Sequence, residues 1–293
     1  MIIVRLKGGM GNQMFQYAFG RSLSILKNVP LVIDKRYLED RTPRKNFTFR
    51  DYDLDIFNIF PVFKEGQISY SPNKLTFRAI NKFYRMMPEF ISVKTGFYRE
   101  KSFSFNERFT RLPQQLVVDG YFQSYKYFEA VKDVILNDFT FRNPIADDYI
   151  NLLTEIKSVN SICVHVRRGD FLTDPMLGAK DGSYYSKAAE FMLGNVPDPH
   201  FYVFSDDIDW CEKNLKFSGP TRYIKDLPND IKLRSYFEVM INCKHFIIPN
   251  SSFSWWAAYL SPNENKVVVA PALWFNDANI NTDDLIPANW TRL

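Results

Sequence analysis

From about residue 150 onward the apolar positions alternate between two rhythms. Short apolar runs, SICVHV at 161–166, FYVFS at 201–205, RYI at 222–224, HFIIP at 245–249 and KVVVA at 266–270, read as buried strands. Between them the spacing widens to three and four. Tyr184, Ala188 and Met192 share one face of a helix starting at Ser183. Phe253, Trp256, Ala257 and Leu260 share one face of another at 251–260. Further helices are expected ending near Ser158, beginning near Asp207, and over 231–243. Strands alternating with helices predict a parallel sheet covered on both faces.

The first half opens in the same way and then loses its period. IIVRL at 2–6 runs into a Gly-rich turn, and Phe15, Phe19, Leu23 and Leu26 mark a helix over 13–27. PLVID at 30–34 is a second strand. From 35 to 112, Phe, Tyr, Arg and Pro mix without periodicity, which predicts an insert of helices and long loops. The strand LVVDG at 116–120 and a helix over 125–137 restore the order. The expectation is two α/β domains, residues 1–150 and 151–293.

Composition narrows the class. Aromatic residues form 16% of the 293 positions, with 27 Phe, 16 Tyr and 5 Trp, which excludes a disordered chain. A net charge of +4 suits an anionic small molecule or a negative membrane surface and is too slight for nucleic acid. Cys163, Cys211 and Cys243 lie far apart without metal-ligand spacing, so they read as reduced, buried thiols of a cytoplasmic protein. The N-terminus enters a strand carrying Arg5 and Lys7, and no signal peptide is expected. No apolar run approaches the roughly 18 residues of a spanning helix.

In open parallel sheets ligands bind outside the carboxyl ends of the strands. Four polar clusters fall there. KGGMGNQ brings Gly9, Gly11, Asn12 and Gln13 to a strand-to-helix turn, but Met14 stands at the third glycine position of a dinucleotide fingerprint. The glycines serve either a tight turn or a backbone brought close to a ligand. In HVRRGD, strand alternation puts His165 and Arg167 on the face opposite Ile162, Val164 and Val166. Arg168 and Asp170 follow in the turn, where they form either a local ion pair or part of an anion site. FSDDIDW places Asp206 and Asp207 before a helix, as caps, as ligand contacts, or with Asp209 as a metal-holding Asp-x-Asp. Asn250, Ser251 and Ser252 open the 251–260 helix, whose free N–H groups suit an anion as well as simple capping.

HVRRGD, FSDD and NSSFSWWAAYL, with GGMGNQMFQYAFG and GYFQSYKYF, together resemble the bacterial α-1,2-fucosyltransferases. Those belong to a larger group of inverting fucosyltransferases with an His-x-Arg motif, and the matches span residues 8 to 260 in order. The resemblance implies a GT-B-like pair of Rossmann-type domains facing across a cleft, the first on the acceptor side and the second binding GDP-fucose. It implies transfer from GDP-β-L-fucose to the 2-hydroxyl of a terminal β-galactoside, with inversion, without metal or cofactor. That moves Asp206 and Asp207 toward fold support or nucleotide contact. Arg167 then binds the β-phosphate and neutralises the leaving group, with His165, Arg168 and Asp170 filling the other motif positions. Ser251 and Ser252 form the phosphate-binding turn, and Gly9, Gly11, Asn12 and Gln13 meet donor or acceptor. Asp170, Asp174 and Asp181 are candidates for the general base. Many relatives carry an acidic residue seven positions before the cysteine of CKH, where this chain has Tyr236, so Glu238 is the expected guanine contact. Bacterial relatives commonly build surface polysaccharide, which adds peripheral membrane association to the expectations.

Overall fold

A computed structural model describes residues 1–43, 48–64, 82–83, 86–225 and 231–293. The chain divides into two compact units, Met1–Arg142 with Asn281–Leu285, and Asn143–Ile280 with Ile286–Leu293. Each is built on a parallel sheet, which makes the fold α/β and GT-B-like in class.

The first sheet contains β1 (Ile2–Arg5), β2 (Leu31–Asp34), β3 (Val62–Phe63), β4 (Phe97–Arg99) and β5 (Leu116–Asp119) in the order β3-β2-β1-β5-β4. The helix Met10–Lys27 returns across β1, and Gly20 permits that close approach. A Cβ at Gly20 would lie 2.1 Å from Val4 Cγ2. The 35–112 insert is more regular than its composition suggests, because it supplies β3 and β4. Strands of two and three residues are too short to show a period. Positions 44–47, 65–81 and 84–85 of the insert lie outside the described residues.

The helix expected over 125–137 is broken. Short 3₁₀ turns at Tyr125–Tyr127 and Glu129–Val131 precede an α-helix confined to Lys132–Asp138. The Ser124 side chain accepts from Lys126 N at 3.3 Å, starting a tight turn where periodicity predicted a regular helix.

The second sheet contains β6 (Asn160–Val166), β7 (Pro199–Ser205), β8 (Thr221–Ile224), β9 (His245–Ile247), β10 (Val268–Ala270) and β11 (Thr291–Arg292). Their order, β11-β10-β9-β6-β7-β8, is the doubly wound order of a nucleotide-binding fold. β6 is central, and the sheet reverses direction of growth between β6 and β9. Ile162, Val164 and Val166 pack with Tyr185, Ala188 and Met192 of the helix Gly182–Asn195. Burial of each large apolar side chain there contributes about 1.5–3 kcal/mol. On the opposite face the His165 ring lies 5.8 Å from that of Phe253, which heads the helix Ser252–Leu260. Trp255 and Trp256 of that helix are fully buried. The helix expected over 231–243 is Arg234–Ile241, preceded by Lys232 and Leu233 at φ 55 and 56, a left-handed turn no spacing rule announces. Cys163, Cys211 and Cys243 are free and buried.

Candidate active site

The carboxyl end of β6 sets the site. Beyond Val166 the alternation sends Arg167 and Arg168 to different sides, and Gly169 turns the chain into a single 3₁₀ turn, Asp170–Leu172. That turn carries Asp170 back to Arg167, whose Nη2 lies 2.8 Å from Asp170 Oδ1. Arg167 Nη1 reaches Asp206 Oδ2 at 3.0 Å, and the Arg168 backbone N–H donates to Asp206 Oδ1 at 2.9 Å. Gly169 leaves room for this approach, since a Cβ there would meet Asp206 Oδ2 at 2.7 Å. Arg168 Nε donates to Asp207 Oδ2 at 3.0 Å, and its guanidinium lies 3.8 Å from the centre of the Trp210 ring. The pairing differs from the Arg168–Asp170 pair that adjacency suggests. Arg167 takes Asp170, and Arg168 takes Asp207.

Asp207 also caps the helix Ile208–Asn214, accepting from Trp210 N at 3.3 Å, while its own N–H donates to Ser205 Oγ at 2.9 Å. Asp206 and Asp207 therefore hold the two arginines and close the end of β7. Among the described residues no group of three or more His, Cys, Asp or Glu side chains is arranged to hold a metal ion.

His165 is 5% exposed, and its Nδ1 has no hydrogen-bond partner. Burial, reinforced by the charge of Arg167, pushes its pKa down to about 3, so the imidazole is neutral at pH 7. Asn250 is 1% exposed and staples two loops, donating from Nδ2 to Leu177 O at 2.8 Å and Trp274 O at 3.0 Å. Its Oδ1 is buried without a partner. Ser251 starts the Ser252–Leu260 helix without a side-chain capping bond, and its carbonyl accepts from Trp255 N at 3.0 Å. Because β6 and β9 are paired neighbours, the Arg167–Asp170 turn and the Asn250–Ser252 turn leave adjacent strands at the topological switch point.

Other candidates are engaged elsewhere. Glu238 is paired with Arg234 Nη1 at 2.5 Å, one helical turn away. The Tyr236 hydroxyl accepts from Ser205 N at 2.8 Å, so this tyrosine ties its helix to β7. Asp174 Oδ1 accepts from Met176 N and Leu177 N, and Asp181 caps Gly182–Asn195. In the first unit Gln13 is fully buried, its Nε2 donating to Gly8 O at 2.9 Å and Asp51 O at 2.7 Å, while Oε1 accepts from Asp53 N. It pins the 51–53 segment to the glycine turn. Gly9 is the helix cap, Gly11 is buried in its first turn, and Asn12 accepts from Gln123 Nε2 at 2.7 Å.

Sequence reasoning missed Trp210, the platform under Arg168, although it stands one helical turn past Asp206 in FSDDIDW. It also missed the first unit's charge cluster on Asp119, whose members are up to 114 positions apart, from Arg5 to Asp119.

The sheet has the strand order of a nucleotide-binding fold with two arginines at its switch point, and the sequence matches glycosyl transferase family 11 over residues 1–293. The chain belongs to that family and is a glycosyltransferase. It is 31% identical to an alpha-1,2-colitosyltransferase of Escherichia coli, covering 100% of this chain and 99% of that one. A galactoside 2-alpha-L-fucosyltransferase of Caenorhabditis elegans is 29% identical over 61% of this chain and 53% of its own. Among solved structures, fucosyltransferase NodZ from Bradyrhizobium shares the fold, with a TM-score of 0.50 and 15% identity, covering 89% of this chain and 92% of that one.

Proposed function

We propose that this glycosyltransferase moves L-fucose from GDP-β-L-fucose to the 2-hydroxyl of a terminal β-galactoside, with inversion, giving an α-1,2 linkage. The observation that carries the reading is Arg167, held by Asp170 and Asp206 at the mouth of the central strand. Its planar fork matches a phosphate edge. In the cluster two arginines face three aspartates, Asp170, Asp206 and Asp207, one negative charge in excess. On this reading a diphosphate enters by taking the place of a carboxylate. Asp170, in the half-exposed turn, is the one that yields, and Asp206 stays with the Arg168 backbone.

Displacement from Arg167 leaves Asp170 free to take the proton of the attacking hydroxyl, a contribution of about 10²–10⁴-fold for a general base. Asp174 and Asp181 are committed to backbone N–H groups. The retained Arg167, with the Ser251–Ser252 turn at the helix start beside it, stabilises the charge that develops on the departing diphosphate. These cations serve in place of a divalent metal. The first unit takes the acceptor through its glycine turn.

Transfer of colitose, which is fucose without its 3-hydroxyl, is the second reading, favoured by the colitosyltransferase likeness along the whole chain. The test is GDP release from GDP-fucose and from GDP-colitose, each with and without lactose and in EDTA, with the product linkage read by NMR. Lactose-dependent release from GDP-fucose in EDTA, with an α-1,2 product, is expected. Faster turnover of GDP-colitose moves the donor to the second reading, and loss of activity in EDTA overturns metal independence.

A further inference from the structure

Glu100 follows β4 and takes no part in the chemistry above. Its side chain reaches the end of the neighbouring strand β5, where Oε2 accepts from Tyr121 N at 2.6 Å and Oε1 from Phe122 N at 3.0 Å. Gly120 makes room for it, since a Cβ there would lie 2.5 Å from Glu100 Cβ. Phe122 sits at φ 52, a left-handed conformation that costs a non-glycine residue about 1–3 kcal/mol. The next side chain, Gln123, is 7% exposed and donates to Asn12 Oδ1 at 2.7 Å in the first turn of Met10–Lys27. Its Oε1 has no partner within the protein.

We infer that Glu100 is a positioning residue: it holds the 120–123 turn in its strained form so that Gln123 and Asn12 present their amides to the acceptor sugar. This rests on the proposed function, which gives the first unit to the acceptor. Glu100 acts through the turn and does not touch substrate.

The charged group facing it from the turn after β1 is Lys7 and from β5 is Asp119, with the hydroxyls of Tyr98 and Tyr127 beside them. Burial pushes Glu100 up to about 6, against the N–H groups of Phe122 and Tyr121 and the charge of Lys7, which hold it down. A carboxyl raised above its ordinary 4.5 favours the folded state below pH 4.5, and that contribution is lost as pH rises through about 6. At pH 7 the fold therefore keeps an ionised carboxylate against its own stability. Only that form offers an unprotonated acceptor to both N–H groups.

The experiment compares wild type with Glu100→Gln and Glu100→Asp, reading acceptor and donor KM, kcat and Tm from pH 5 to 8. In Glu100→Gln the acceptor KM rises about tenfold, as a small misplacement of positioning groups would give, with the donor KM unchanged. The acidic limb near pH 6 in wild-type kcat/KM for acceptor disappears in this variant. Equal changes in donor and acceptor KM, or a limb that survives in Glu100→Gln, overturn the inference. Should the variants fail to fold, the amide NMR signals of Tyr121 and Phe122 in the wild type titrate together near pH 6, and flat signals overturn it. That titration needs no substrate, so it separates failure of this inference from failure of the proposed reaction.

Discussion

At the carboxyl end of the first sheet three cations converge on one carboxylate, whereas at the second two carboxylates converge on one guanidinium. Asp119 has Arg99 at 2.8 Å, Lys7 at 3.1 Å and Arg5 at 3.7 Å. Arg167 has Asp170 at 2.8 Å and Asp206 at 3.0 Å. Burial pushes Asp119 up, but Lys7, Arg5 and Arg99 outweigh it and hold the carboxyl below the usual range. It is a fixed anchor among charges that also hold one another. Arg167 divides its fork between a carboxylate rooted in β7 and one on a short turn, so half of its coordination can be exchanged. Counting positive side chains at strand ends would select the first site. Asking which partner can leave selects the second.

The comparison breaks most readily at Asp170. On the proposed reading, Asp170→Asn lowers kcat by about 10²–10⁴-fold. GDP binding is kept or tightened up to about fivefold, since a part-exposed ion pair of about 0.2–1 kcal/mol no longer competes. Stopped-flow turnover and calorimetry separate the two effects, and an unchanged kcat removes Asp170 as the base. Arg167→Ala is expected to lower kcat/KM by about 10²-fold or more, the loss of one preorganised charge contact. Near-normal turnover in that variant ends the assignment of the leaving-group site. The smallest effect is on the fixed anchor. Asp119→Asn destabilises the fold by about 1.5–3 kcal/mol with catalytic constants little changed. Because the Asp119 pKa is lowered, its contribution is present above pH 3.8 and lost as pH falls through the folded value. Denaturant titrations of variant and wild type should therefore converge in acid.

The second unit was legible because each of its site motifs stands at the end of an apolar strand run. HVRRGD, FSDD and NSS each follow a strand whose apolar run is plain, and the sheet order brings two of those strand ends side by side. Partner choice was not legible. Arg168 meets Asp207 across 39 positions, and nothing in HVRRGD says it will bypass Asp170. Tyr236 occupies an expected acidic position, yet its hydroxyl holds Ser205 N at the end of β7, a role visible only once helix and strand are packed. Glu238, the expected substitute, is committed to Arg234. Gln13 reads as an exposed amide in a glycine turn, and its burial depends on Asp51 and Asp53, about 40 positions away in an aperiodic stretch. β3 and β4 escaped notice for the same reason, since their pairing comes from β2 and β5.

The path of residues 281–293 has a consequence for biosynthesis. After leaving the second unit at Ile280 the chain contributes Asn281–Leu285 to the first, then returns. Asp284 receives Phe105 N at 2.8 Å and Lys126 Nζ at 2.6 Å, and β11 then pairs with β10. Domains commonly mature one after another as a chain leaves the ribosome. Here the unit begun by residues 1–142 includes Asn281–Leu285, which are made only after residues 143–280 of the other unit. A nascent chain stalled at Ile280 lacks β11 of the second sheet and the Asp284 contacts of the first unit, each leaving a surface for chaperones to find.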